Sequence, residues 1–184
     1  MNLPNKLTVL RLVLTGVFVG VTSVTWAFAW TAGLVIFLVA SYTDYLDGAI
    51  ARKRNLITNF GKLMDPLADK VLVAAALVAL VAVGEVAAWV VVLILSREFL
   101  VTGMRLVAAG EGKVVSADKL GKLKTILQMV AIIGYLAVLA AGEFGITVPV
   151  LEPASAVVLY AALLVTCLSG FRYLSANWEV FRDA

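Results

Sequence analysis

The sequence predicts an all-α membrane protein, because it is far more apolar than a soluble domain and its apolar residues fall in helix-length runs. Hydrophobic residues make up 62% of the 184 residues, against roughly 45–50% in soluble domains. The mean hydropathy is +1.02. Runs of about 20 apolar residues, which can cross a bilayer as a helix, recur along the chain. We therefore expect residues 1–184 to form a single membrane domain.

Six apolar runs predict six transmembrane helices separated by short turns. The predicted spans are 7–25, 29–51, 66–83, 86–108, 119–141 and 153–174. Residues 2–6, which include Pro4, are expected to form a short N-terminal interfacial segment. Gly84-Glu85 and Ala141-Gly142-Glu143 are expected to turn the chain.

Basic residues are concentrated at one end of these predicted helices. They are Lys6, Arg11, Arg52, Lys53, Arg54, Lys62, Arg105, Lys113, Lys119, Lys122, Lys124, Arg172 and Arg182. The turns at the other end carry Glu85, Glu143 and Glu152 and neither Lys nor Arg. Because cytoplasmic loops are enriched in Lys and Arg, we expect the basic end and both termini to face the cytoplasm.

Four aspartates, Asp44, Asp47, Asp65 and Asp69, lie at the basic end of the second and third predicted helices. Carboxylates beside a bilayer are costly, and four that converge would repel one another unless cations lay between them. Asp44 and Asp47 share one helix face by their i, i+3 spacing, and Asp65 and Asp69 share another by i, i+4. Pro66 is expected in the first turn of the third helix, where proline is tolerated.

The composition restricts the metal that such carboxylates could hold. The chain has no histidine and one cysteine, so oxygen ligands are expected, which favour Mg²⁺, Mn²⁺ or Ca²⁺ over Zn²⁺. Two facing carboxylate pairs predict a cage for two divalent ions. Ions about 3.5–4 Å apart can bind the attacking and leaving oxygens of a phosphoryl displacement.

The aspartates belong to a longer pattern, D-x2-D-G-x2-A-R-x8-G-x3-D-x3-D, which also contains Gly48, Ala51, Arg52 and Gly61. Gly48 and Ala51 leave room for a pyrophosphate, and the Arg52 guanidinium suits phosphate. The pattern resembles the signature of the CDP-alcohol phosphotransferase family, whose members displace CMP from a CDP-linked lipid or alcohol with a second alcohol. The six predicted helices are similar to that family's fold.

The resemblance implies roles for individual residues. Asp44, Asp47 and Asp65 would be metal ligands, Asp65 and Asp69 would hold the second metal, and Asp69 would be the general base. The expected cofactors are two divalent cations, Mg²⁺ or Mn²⁺. The residues expected at the CDP site are Asn5, Thr8, Gly48, Ala51, Arg52 and Gly61. A homodimer in the plasma (inner) membrane is also implied, with membrane lipid and no nucleic acid as partner.

Three further segments, NLPNKLTVLR, SREFLVTGMR and GKLKTILQ, resemble the phosphatidylglycerophosphate synthase subfamily. That resemblance implies CDP-diacylglycerol and sn-glycerol 3-phosphate as substrates, and phosphatidylglycerol phosphate and CMP as products. The acceptor is a dianion that needs cationic partners. The residues expected to bind its phosphate are Arg105, Lys122, Lys124 and Arg97.

Several alternatives stay open at this point. The lysines could instead attract lipid headgroups, and Arg97 and Glu98 could form a structural ion pair, with Lys70 as another partner of Glu98. Gln128 could serve the site or a helix–helix hydrogen bond. The same chemistry could use inositol phosphate, serine or phosphatidylglycerol as the acceptor. The chain could also be a divalent-cation transporter, although its aspartates cluster at one membrane face.

Overall fold

The computed structural model describes residues 3–54, 59–110 and 119–176, and in these residues it contains six α-helices and no β-strand. The helices are α1 (Leu3–Thr22), α2 (Ala29–Arg54), α3 (Asn59–Ala82), α4 (Ala88–Gly110), α5 (Lys119–Glu143) and α6 (Leu151–Ala176). The predicted all-α class is therefore confirmed.

Three of these helices contain an apolar stretch long enough to cross a membrane. The stretches are Asn5–Thr22, Leu120–Glu143 and Leu151–Ser175, with mean hydropathies of 1.3, 2.0 and 2.0. α2 contributes a shorter apolar stretch, Ala29–Thr43. α3 and α4 are interrupted by charged side chains, among them Lys70 and Glu98. The described residues thus support a membrane protein, and crossing by all six helices stays a prediction.

Two helix starts differ from the sequence prediction. α1 begins at Leu3, so most of the expected interfacial segment is the first turn of that helix. α3 begins at Asn59 rather than at residue 66. The expectation that Pro66 lies in the first turn is therefore wrong, and Pro66 is an interior residue of α3. A proline there removes one backbone hydrogen bond while the rest of the helix is retained.

α3 and α5 both end in the same backbone turn around a glycine. At the end of α3, the N–H of Gly84 bonds to Val81 O and that of Glu85 to Leu80 O, each at 3.0 Å. Gly145 and Ile146 repeat the pattern after α5. The φ angles of Gly84 and Gly145 are 84° and 69°, in the left-handed region that favours glycine. Gly84 turns the chain as predicted, whereas Gly145 rather than Gly142 does so after α5.

The helices pack around one apolar core, to which Phe18, Phe37, Leu77 and Ile132 contribute fully buried side chains. α1 packs against α2 and α3, α5 against α2 and α6, and α4 against α3 and α6. A surface cavity of about 520 Å³ is bordered by the α1–α2 turn, by Val83 after α3 and by the last residue of α5. These ends therefore lie together, and the starts of α1, α3 and α5 lie at the opposite end, beside the end of α2.

Candidate active site

A small cavity lies between α3, α4 and α5. It has a volume of about 20 Å³, which is room for about one water molecule. Its lining residues are Asp69, Lys70, Val73, Leu95, Glu98, Phe99, Thr125 and Gln128. The expected general base, Asp69, therefore faces a space bordered by charged and polar side chains from three helices.

The carboxylate of Glu98 contacts three basic side chains beside this cavity. Its Oε2 atom lies 3.6 Å from Nζ of Lys70 in α3. Its Oε1 atom lies 3.3 Å from Nη1 of Arg97 and forms an ion pair with Nζ of Lys124 in α5. These four residues, which we call the Glu98 cluster, have side chains only 6–17% exposed. Charges buried to this degree need partners, and here each cation has the same carboxylate.

Arg97 is also fixed from its other side by α6. Its Nη2 atom donates a hydrogen bond of 2.9 Å to Oγ of Ser169. The Ser169 hydroxyl in turn donates to the carbonyl of Thr166 at 3.1 Å. Gly170 lets the two helices approach, because a Cβ atom at that position would lie 2.8 Å from Cγ of Arg97. Arg97 thus links the Glu98 cluster to α6.

Gln128 forms the helix–helix hydrogen bond that its sequence position left open, and it also borders the cavity. Its side-chain amide donates a hydrogen bond of 3.2 Å to Oγ1 of Thr166, which ties α5 to α6. The same buried side chain lines the cavity that contains Asp69. Lys124 lies one helical turn before Gln128, on the same face of α5.

The other two predicted phosphate ligands lie outside the Glu98 cluster. The guanidinium carbon of Arg105 is 5.4 Å from the ring centroid of Tyr173 in α6, within cation–π range. Arg105 is exposed, as is Lys122 on α5. Lys122 is two residues from the buried Lys124, and residues at that spacing face different directions on a helix.

The beginning of α1 presents buried polar residues to the bundle. Asn5 is 8% exposed, and Thr8 and Arg11 are fully buried. Their i, i+3, i+6 spacing places them on one face of α1. This face lies at the same end of the bundle as the start of α3, and its assignment to a nucleotide site stays a prediction.

The remaining predicted site residues fall on segments of which only the backbone is described. α2 is helical through Asp44 and Asp47, and α3 through Asp65 and Asp69, so each pair shares a helix face. The side chains of Asp44, Asp47, Gly48, Ala51, Arg52, Gly61 and Asp65 lie outside the described set. Among the side chains that are described, no group of three acidic, histidine or cysteine residues could hold a metal.

Comparison with known proteins identifies the family. The model of the CDP-alcohol phosphatidyltransferase family matches residues 1–168. The chain belongs to this family. A CDP-diacylglycerol–glycerol-3-phosphate 3-phosphatidyltransferase of Bacillus subtilis (strain 168) is 44% identical over 197 residues, covering 100% of this chain and 98% of the relative.

Two more distant relatives of this CDP-alcohol phosphatidyltransferase carry the same name. The Rickettsia typhi (strain ATCC VR-144 / Wilmington) protein is 39% identical over 175 residues, covering 95% of this chain and 96% of its own. The Yersinia pestis (strain Pestoides F) protein is 35% identical over 184 residues, covering 97% of this chain and 96% of the relative. The resemblance found in the sequence, to the family and to its glycerol 3-phosphate subfamily, is thus confirmed.

Within this CDP-alcohol phosphatidyltransferase, the structure adds residues that sequence reasoning did not place at the site. From the sequence, Lys70 is expected only as a partner for Glu98, and neither Ser169 nor Tyr173 has an expected role. Lys70 gave a signal, since a lysine in an apolar helix usually faces the protein interior. Ser169 and Tyr173 gave none, because their roles depend on how α6 packs against α4.

Proposed function

We propose that this chain transfers a phosphatidyl group from CDP-diacylglycerol to sn-glycerol 3-phosphate, forming phosphatidylglycerol phosphate and CMP. The observation that carries the proposal is the position of Asp69 beside the Glu98 cluster, in a chain of the CDP-alcohol phosphatidyltransferase family. A carboxylate beside several cations suits an acceptor that carries both a hydroxyl and a phosphate.

The proposed chemistry is one displacement at phosphorus. The acceptor hydroxyl attacks the phosphorus that bears the diacylglycerol, the bond from that phosphorus to the CMP oxygen breaks, and CMP leaves with the electron pair. Asp69 takes the proton of the hydroxyl. A carboxylate is the fitting base because the chain has no histidine.

The proposed metal ligands are Asp44, Asp47, Asp65 and Asp69, which supply only oxygen atoms, as Mg²⁺ and Mn²⁺ prefer. Two such ions, when bound, would neutralise charge on the attacking and leaving oxygens. The helical spacing of each pair and the position of Asp69 at the cavity support this assignment. The CDP moiety is assigned to Asn5, Thr8, Gly48, Ala51, Arg52 and Gly61.

The acceptor phosphate is assigned to the cationic side of the cavity. The Glu98 cluster contains three basic side chains and one carboxylate, and this excess of positive charge suits an anionic acceptor. Lys124 and Arg97 belong to this cluster, and Arg105 and Lys122 lie nearer the surface of the same helices. Burial strengthens the attraction, because interactions between charges are less screened away from water.

The protein is proposed to be a multi-pass protein of the plasma membrane with its active site and both termini on the cytoplasmic side. Apolar side chains exposed on α5 and α6, such as Ile126 at 60%, Val157 at 68% and Leu164 at 62%, support contact with lipid. Trp26 and Trp89, exposed near the opposite end, suit a membrane interface. The homodimer implied by the family resemblance remains part of the proposal.

An acceptor panel tests this function. Purified protein in detergent–lipid micelles would receive CDP-diacylglycerol, Mg²⁺ and one alcohol at a time: sn-glycerol 3-phosphate, inositol phosphate, serine or phosphatidylglycerol. We expect CMP release with sn-glycerol 3-phosphate and none after chelation. CMP release with a different alcohol alone would keep the chemistry and contradict the acceptor. Divalent-cation flux in proteoliposomes without CMP release would instead identify a transporter.

A further inference from the structure

We propose that Glu98 is a positioning residue for the acceptor: its carboxylate assembles Lys70, Arg97 and Lys124 around one point, so that the cations are in place before a phosphorylated acceptor binds. The inference rests on the proposed function for its substrate and on the ion pairs for its geometry. Glu98 itself is assigned no contact with the reacting atoms.

The three cations come from three helices and share one carboxylate. Lys70 belongs to α3, Arg97 to α4 and Lys124 to α5. Like charges repel, and removing water from them increases the repulsion. Glu98 provides two oxygen atoms, with Lys70 on Oε2 and both Arg97 and Lys124 on Oε1. Each lysine is thereby held next to the cavity that contains Asp69.

Arg97 connects this cluster to α6. Its guanidinium is shared between Glu98 and Ser169, and its aliphatic part packs against Gly170. Lys70 and Lys124, by contrast, are held at a single ammonium group on a flexible stem. We therefore assign Arg97 mainly to anchoring Glu98, and Lys124 and Lys70 to the phosphate.

The size of the cavity indicates how the phosphate reaches the lysines. A volume of about 20 Å³ holds about one water and not glycerol 3-phosphate. The acceptor would therefore bind by widening this space, which Lys70 and Glu98 border. The phosphate would become a second partner of Lys124, whose ammonium group has three N–H donors, while Glu98 keeps the first. Because the lysine is ordered beforehand, less side-chain entropy is lost on binding.

The test separates acceptor affinity from catalysis. Glu98→Gln removes the charge and keeps the side-chain size, and Glu98→Asp keeps the charge and withdraws the carboxylate. We expect Glu98→Gln to raise the KM for sn-glycerol 3-phosphate about tenfold or more, with the KM for CDP-diacylglycerol within about twofold. Glu98→Asp should give an intermediate acceptor KM. Glu85→Gln, the same change in the turn at the far end of the bundle, is the matched control.

Two results would overturn the inference: an acceptor KM for Glu98→Gln equal to that of Glu85→Gln, or equal rises in both substrates' KM values. A second measurement needs no turnover. sn-Glycerol 3-phosphate alone should raise the melting temperature of the wild type and of Glu85→Gln, and raise it less in Glu98→Asp. An equal rise in all three would contradict positioning by Glu98. Absence of turnover in the wild type would instead refute the proposed function, and the thermal shift would still report on Glu98.

Discussion

Glu143, the last residue of α5, caps the beginning of α2 through Thr31. Its Oε2 atom accepts hydrogen bonds from the backbone N–H of Thr31 at 2.9 Å and from the Thr31 hydroxyl at 2.6 Å. Its Oε1 atom accepts the N–H of Trp30 at 2.6 Å. The first N–H groups of a helix have no partner within that helix. One carboxylate therefore satisfies two of them and joins two distant parts of the chain.

Removing this cap should destabilise the protein and leave the site intact. We expect Glu143→Gln to lower the free energy of unfolding by about 1 kcal/mol, because loss of an N-terminal cap usually costs that much. Thermal unfolding in detergent measures the effect. Glu152→Gln, a change in the exposed first turn of α6, is the control and should have a smaller effect. Equal stabilities of the two variants would show that the cap contributes nothing.

A methyl group at Gly170 should disturb Arg97. The Cβ atom of alanine would lie 2.8 Å from Cγ of Arg97, too close without a shift of that side chain. We expect Gly170→Ala to lower stability by about 1–3 kcal/mol and to raise the acceptor KM. Gly20→Ala on α1, where nothing lies within 4 Å, should be neutral or slightly stabilising. An unchanged melting temperature for Gly170→Ala would contradict the close packing of α4 and α6.

Two lysines on α5 provide a matched comparison for the acceptor site. Lys124 is 5% exposed within the Glu98 cluster, whereas Lys122 is exposed. We expect Lys124→Ala to raise the KM for sn-glycerol 3-phosphate by about ten- to a hundredfold, because losing a hydrogen bond to a charged group costs about that much in binding. Lys122→Ala should change it by less than about threefold. Equal effects would mean that the general positive charge of this surface, rather than the cluster, attracts the acceptor.

Asp69→Asn tests the assignment of the base. The amide is similar in size to the carboxylate but cannot take the proton of the attacking hydroxyl. We expect the rate of CMP release to fall by about 10²–10⁴-fold, the usual contribution of general base catalysis. Thermal unfolding should remain close to that of the wild type. A rate within a few-fold of the wild type would exclude Asp69 as the base.

Glu85, in the turn between α3 and α4, should make stability depend on pH. Burial raises the pKa of this carboxyl group, and the neighbouring charge of Glu152 raises that pKa further. The folded state therefore binds the proton more tightly than the unfolded state. Stability should fall as pH rises from the ordinary glutamate pKa through the raised one. Glu85→Gln should remove this slope in thermal unfolding measured between mildly acidic and neutral pH. A slope equal to that of the wild type would show that Glu85 is not its source.

The sequence predicts that the six helices exist, but it does not predict exactly where each helix ends. Apolar runs of membrane length predict all six helices within a few residues, except for the start of α3. There the helix continues from Asn59 through Pro66, although an interior proline removes one backbone hydrogen bond. Both Gly142 and Gly145 are residues at which α5 could end. The positive φ angle of Gly145 shows that the chain turns there.

The candidate site was predictable where residues are close in sequence and not where helices meet. The spacing of Asp65 and Asp69 was enough to place them on one face of α3. The shared contacts of Glu98 with Lys70 and Lys124 depend on how α3, α4 and α5 pack. A local pattern carries no such information. For the same reason, Lys122 and Lys124 were equivalent in the sequence and differ in the structure.

The most direct test of the proposed function is the product formed by the purified protein in lipid vesicles. Vesicles containing CDP-diacylglycerol would be supplied with Mg²⁺ and labelled sn-glycerol 3-phosphate. We predict labelled phosphatidylglycerol phosphate and CMP in equal amounts, both lost on chelation or in Asp69→Asn. Folded protein that forms no labelled lipid under these conditions would contradict the proposed function.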